Sequence, residues 1–259
     1  MSKFAQALAD KDFVLTVELD PPRGVDTAPL MELAGRLASR VDAVVISDNR
    51  GAVPRLGALA AGQLLAAGGL EVILTLTCRD MNRLALTSQM LGAGAAGIGN
   101  LLLVSGDYVS LGDHPGAKPV YDLDSVQALG LAATLAAGSD LAGQELAGAP
   151  RFFLGAAVAA LAEPLPPQLI KLKKKVQAGA GFIITQPMQS LEQLRSFCQQ
   201  VASLGVKVLA GLEVADPGQR QAVADLLKEV RGSGLVAGAH LSMPAAQGDL
   251  PALLDACGL

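Results

Sequence analysis

The sequence predicts an α/β chain folded as a single (β/α)8 barrel of the TIM type. Eight short runs rich in Val, Ile and Leu recur, each followed by a longer segment with helical spacing, which is how buried parallel strands and their crossover helices read. The 259 residues agree with the length of about 250 common for such barrels. No composition break or Pro/Ser-rich linker interrupts the series. The eight units are therefore expected to close into one domain, residues 1–259, rather than form an open doubly wound sheet or two smaller domains.

In chain order the first four strands are expected at Phe13 to Leu19, Ala43 to Ser47, Glu71 to Thr77 and Asn100 to Gly106, with four units complete by Gly138. Gly138 to Ala149 has the composition of a surface loop. The remaining strands fall at Arg151 to Val158, Gly181 to Gln186, Lys207 to Glu213 and Leu235 to Leu241. Between the fifth and sixth, Leu169, Leu172 and Val176 form an apolar stripe among Lys171, Lys173, Lys174 and Lys175, and Ala178-Gly179 ends the helix. After the sixth, Ser190 is placed to cap a helix whose apolar face is Leu191, Leu194 and Phe197. Pro251 to Ala256 gives the last helix.

Composition narrows the class of function. Half the residues are apolar (51%) and 17% are charged, which supplies a core and excludes a disordered chain. A formal charge of −4, spread along the sequence, argues against nucleic acid or an anionic membrane as partner and leaves small molecules. Met1 to Asp12 lacks the basic start and apolar stretch of a secretory signal, and Leu84 to Val104 is broken by glycines, unlike a membrane span of about 20 residues. Cys78, Cys198 and Cys257 lie far apart without metal-ligand spacing, so reduced thiols, a cytoplasmic location and no metal are expected.

Barrels of this kind carry their chemistry on the loops after the strands. The polar groups there are Glu18 and Asp20, Ser47 with Asp48 and Asn49, Thr77 with Arg79 and Asp80, Ser105-Gly106-Asp107, Gln186, Glu213, and His240 with Ser242; the fifth strand ends without one. Glu18 sits inside an apolar strand, where burial should raise its pKa toward neutrality and suit it to act as a general acid. The plainer reading pairs it with an arginine, Arg23 being nearest in sequence. In the Ser105-Gly106-Asp107 turn, glycine lets backbone amides approach a ligand, although strand-end glycines are common in any α/β protein.

These residues accumulate into a pattern. Glu18-Leu19-Asp20-Pro21-Pro22-Arg23 resembles the first-strand motif of methylenetetrahydrofolate reductases, and Leu76 through Arg83 resembles the third-strand segment of the type fused to bacterial homocysteine methyltransferases. The longest likeness runs from Ser105-Gly106-Asp107 through Gly112 to Ala117 and on to Val120-Tyr121-Asp122-Leu123, similar to that family's flavin-binding fourth-strand loop. Leu172 to Lys175, Ala178-Gly179-Ala180 and Thr185-Gln186-Pro187 follow in family order.

The resemblance implies a cytoplasmic flavoprotein of one-carbon metabolism that feeds methionine biosynthesis. It would use FAD to carry a hydride from NAD(P)H, or electrons from a partner subunit, to methylenetetrahydrofolate. Position by position, it implies that Glu18 is the acid that helps open the folate's one-carbon bridge, that Asp107 lies near the flavin ring, and that Gln186 binds folate or the flavin edge. It further assigns Thr77, Ser105, Gly106, Tyr121, Asp122 and Lys175 to the cofactor, with Lys175 near the phosphates; the plainer reading of that lysine is a solvated helix face. His114 would order its loop. The chain departs from the family pattern at Ser105, Ala159, Ala160 and Gln168, where flavin or folate contacts would change, and Ser47, Asp48 and Asn49 receive no assigned role. Two other readings stay open: a non-redox folate- or corrinoid-linked methyl-transfer barrel, and a cofactor-less barrel that serves as a binding partner. Alanine-rich surfaces such as Ala58 to Ala67 are compatible with the homo-oligomer expected here, and equally with an ordinary helix.

Overall fold

The computed structural model describes residues 1–259, which form eight parallel strands and nine helices. After a leading helix α1 (Lys3–Asp10), the repeats are β1 (Val14–Leu19) with α2 (Ala28–Leu37), β2 (Ala43–Ile46) with α3 (Ala58–Ala67), β3 (Val72–Thr77) with α4 (Arg83–Ala95), and β4 (Asn100–Val104) with α5 (Ser125–Ala136). The second half adds β5 (Phe153–Val158) with α6 (Pro166–Gln177), β6 (Ala180–Pro187) with α7 (Leu191–Val201), β7 (Lys207–Glu213) with α8 (Arg220–Ser233), and β8 (Gly238–Ser242) with α9 (Leu250–Cys257). Each strand pairs in parallel with the next, and β8 closes onto β1 through Val14 beside Gly238 and Thr16 beside His240. The predicted barrel is therefore the observed one, with strand ends shifted by up to three residues.

Successive side chains of a strand point to opposite faces, and this period of two divides the barrel into an outer shell and an inner stack. The outward set, including Leu15, Val17, Leu74, Leu76, Leu101 and Leu103, packs under the helices in the main core. The inward set is layered. At the N-terminal end, Val14, Val45, Ile73, Leu102, Phe182 and Leu209 make a second apolar cluster that α1 covers with Phe4 and Leu8. Above it the inward positions turn polar: Thr16 and Glu18 on β1, Thr75 and Thr77 on β3, Glu213 on β7, His240 and Ser242 on β8.

Phe182 fills the lower layer. Its ring lies 5.2 Å from both Phe4 and Phe153. Gly155 on the neighbouring strand makes room for it, because a Cβ there would fall 2.1 Å from the Phe182 ring. The helix α1, which no sequence expectation covered, starts at Ser2, whose hydroxyl accepts the Ala5 amide. The Ser190 cap of α7 and the loop from Gly138 to Ala149 are as expected, the cap accepting the Gln193 amide. The helix Ala58–Ala67 turns Ala58, Ala61 and Leu65 into its own barrel's core. No helix is long and apolar enough to cross a membrane.

Candidate active site

The C-terminal ends of the strands surround a cavity of about 450 Å³. Its floor is apolar, with Leu102, Val104, Ala157 and Ile184, and its rim carries Glu18, Asp48, Arg50, Asp107, Lys171, Lys175, Gln186, Glu213 and His240. Thr75 Oγ1 faces this floor buried and without a hydrogen-bond partner, a polar atom that costs free energy until something pairs with it.

Glu18 does not pair with Arg23, which instead binds Asp113 across the rim. Its partner is Arg50, from the loop after β2, at 2.8 Å, with His240 Nε2 at 3.8 Å. The pKa accordingly moves opposite to expectation. Burial by itself would raise it and is the largest single influence, yet His240 and the Arg50 guanidinium together hold the carboxyl below its ordinary value. In this conformation Glu18 is ionised at neutral pH.

Asp48, which sequence left without a role, accepts the Thr77 backbone N–H at 2.9 Å, and the Thr77 hydroxyl donates to the Asp48 carbonyl. Burial, with the Asp80 charge adding to it, pushes the Asp48 carboxyl from 3.8 up to about 6. A folded state that binds the proton more tightly than the unfolded one loses stability as pH rises from about 4 to 6. The loss is on the order of 3 kcal/mol by linkage. Asp48→Asn is therefore expected to remove that pH dependence and raise the midpoint of urea unfolding at pH 7. A midpoint that still falls between pH 4 and 6 in the variant would show that another group is responsible.

Arg79, only 2% exposed, ties the loops together. It donates to Asp80, to the Asn49 carbonyl and to the Asp107 carbonyl. Gly106 can enter this turn because its φ is +91°, and a Cβ there would lie 2.4 Å from Thr77 Cγ2. The Asp107 carboxylate, exposed at the rim, accepts the Gly51 amide at 3.0 Å. On the far side, a register shift between β6 and β7 at Ile184 to Pro187 accompanies the placement of Gln186 on the cavity wall.

A family model described as methylenetetrahydrofolate reductase matches residues 3–214, from α1 through the end of β7. The chain belongs to the methylenetetrahydrofolate reductase family. No curated protein matches it. Among solved structures, tryptophan synthase from M. tuberculosis in its aminoacrylate-bound form superposes with a TM-score of 0.57 at 13% identity, covering 99% of this chain and 95% of that one. A 2,3-dimethylmalate lyase of the PEP mutase/isocitrate lyase superfamily gives 0.61 at 14% identity, covering 98% and 86%. At such identities these likenesses speak for the barrel alone.

Of the positions singled out by likeness to the reductase family, Glu18, Thr77, Ser105, Gly106, Asp107, Lys175 and Gln186 line the one cavity. Tyr121 and Asp122 do not. The Tyr121 hydroxyl donates to the Asp107 carbonyl, and Asp122 clamps Arg83 at the start of α4. His114 sits exposed, with its ring 2.7 Å from the neighbouring Asp113 carboxylate. Lys175 is no solvated face: it is buried, its ammonium donates to the Ala157 carbonyl at 2.6 Å, and burial with the nearby Lys171 charge brings its pKa down to about 8. Lys173 and Lys174 take the solvent. Ser105 meets Ser125 on α5 at 3.3 Å, while Ala159 and Gln168 also line the cavity.

Sequence reasoning missed Arg50, Thr75 and Lys171. Thr75 shares the inward face with Thr77, and Lys171 stands one helical turn before Lys175. Both could have been found from periodicity. Nothing local marks Arg50, whose significance comes from strands distant in sequence.

Proposed function

We propose that this protein reduces 5,10-methylenetetrahydrofolate to 5-methyltetrahydrofolate with FAD as cofactor, NAD(P)H or a partner protein being the electron donor, and that residues 1–259 act as one domain. The observation that carries the reading is the convergence of Glu18, Asp107, Gln186 and Lys175, from three strand ends and α6, on one cavity. The lining fits a flavin in kind. It offers an apolar floor, no Phe, Tyr or Trp side chain to fill the space, the unpartnered Thr75 hydroxyl, and two cationic groups, Lys171 and Lys175, on one wall. Thr77, Ser105, Gly106 and the two lysines would hold FAD, which supplies two-electron hydride chemistry when bound.

The chain's own groups divide the remaining work. Glu18 is the group that, once protonated, would deliver a proton to the folate's one-carbon bridge. Asp107 places a negative charge where a cationic folate intermediate is favoured. Gln186 can both donate and accept along the edge of a planar heterocycle. The apolar floor excludes water and strengthens each of these interactions.

The test is the visible spectrum of the purified protein with and without FAD, followed by anaerobic NADH or NADPH and then methylenetetrahydrofolate. Flavin bands that bleach and recover in that order are expected. Bound flavin that ignores both nicotinamides would assign the donor to a partner protein, and no flavin binding would overturn the reading. Lys175→Met removes a charge-assisted contact and is expected to weaken FAD binding about tenfold or more in a fluorescence titration. Unchanged affinity would place the phosphates elsewhere.

A further inference from the structure

The loop after β2 crosses the mouth and touches both carboxylates assigned to chemistry. Arg50 reaches Glu18 on one side and Glu213 on the other, while its neighbour Gly51 gives its amide to Asp107. The loop is held in a demanding conformation: Asn49 has φ +48° and Ala52 φ +58°, values that side chains other than glycine seldom adopt. Its fixed point is Asn49, bound by Arg79 through the carbonyl and by Asp80 through the side chain. Glu213 is also an independent anchor, since Ser242 donates to the same Oε2 that Arg50 uses.

The guanidinium therefore lies between Glu18 on β1 and Glu213 on β7, strands separated only by β8, and covers Glu18 where it faces the cavity. We propose that Arg50 is a ligand-displaced latch, a positioning residue that lets go of Glu18 when substrate enters and remains on Glu213. The proposal rests on the folate reading for the identity of the displacing ligand, while the latch itself rests on the ion pairs. It also resolves a difficulty of that reading, because a carboxylate held ionised by an arginine cannot deliver a proton. With Arg50 withdrawn, Glu18 keeps His240 beside it but loses one of the charges that favour its ionised form, so its affinity for a proton rises.

The charged groups around Glu18 are few. They are His240 from β8, which contacts Thr16 at 3.0 Å through Nδ1, Arg50 from the β2 loop, Glu213 from β7 reached through Arg50, and Asp20 with Arg55 at the end of β1. Only Arg50 both touches Glu18 and has a second carboxylate to retreat to.

The test uses the full chain with carboxyl-labelled glutamate, following the Glu18 resonance by NMR as pH changes, with Glu18→Gln to identify the signal. Calorimetry measures binding of 5-methyltetrahydrofolate. In Arg50→Met the Glu18 titration is expected to move upward and the ligand to bind about fivefold more tightly, because an internal competitor of the strength of a part-exposed ion pair is gone. Arg50→Lys, which cannot grip two carboxylates at once, should fall between the variant and the original. Glu213→Gln should weaken binding, since Arg50 then has no second anchor. Weaker binding in Arg50→Met, or an unmoved Glu18 titration, overturns the latch. If neither the original nor Arg50→Met binds the folate while the titration still moves, the folate reading falls and the hold of Arg50 on Glu18 stands.

Discussion

Replacing Glu18 with glutamine is expected to lower methylenetetrahydrofolate reduction by about 10² to 10⁴-fold, the usual cost of losing a positioned acid, while FAD binding and its bleaching by the electron donor persist. The substitution keeps side-chain volume and removes the acid together with its charge toward Arg50. Glu18 reaches the cavity from the upper end of β1, whereas the groups proposed to hold FAD stand on β3, the β4 turn and α6, so the two halves of the chemistry should separate cleanly in this variant. Stopped-flow measurement of the two half-reactions decides the matter. A variant that loses flavin, or reduces folate at an unchanged rate, would remove Glu18 from the role of acid.

The largest expected effect on stability lies at the opposite end of the barrel. Phe182→Ala should lower the unfolding free energy by about 3 to 5 kcal/mol, the range for truncating a buried phenylalanine. Phe182 is 0% exposed, and its neighbours cannot close the gap easily: Phe4 belongs to α1, Phe153 to β5, and Gly155 has no side chain to offer. Urea unfolding followed by circular dichroism measures it. A loss under about 1.5 kcal/mol would mean that α1 and the facing strands collapse into the cavity. The reverse change, Gly155→Ala, adds atoms where none fit and should also destabilise.

The two effects map onto the two layers of the inner stack, and this layering was written in the sequence more fully than a search for apolar runs could show. Along β1 the inward residues are Val14, Thr16 and Glu18; along β6 they are Phe182, Ile184 and Gln186. Each strand passes from apolar to polar on one face as it rises. Counting every second residue would have grouped Thr75 with Thr77 and His240 with Ser242 on the inward face. The helix α1 escaped because its apolar face is short, and its purpose becomes visible only once there is a barrel floor to cover.

What the sequence by itself determined is the kind and order of the elements, because period-two apolar runs alternating with period-3.6 stripes are local properties that survive without any tertiary contact. It also determined which residue types stand at the strand ends, and with them the family. What only the tertiary structure decided is the electrostatic state of those residues. Glu18 could be read as a buried carboxyl with a raised pKa or as the partner of an arginine such as Arg23; it is held ionised by His240 and Arg50, residues 222 and 32 positions away, that the folded barrel brings to its side. Lys175 could be read as a cofactor-facing lysine or as a solvated helix face, and the wall formed by β5 buries it. Charge interactions act through distance in space, which a linear sequence does not record until the sheet has closed.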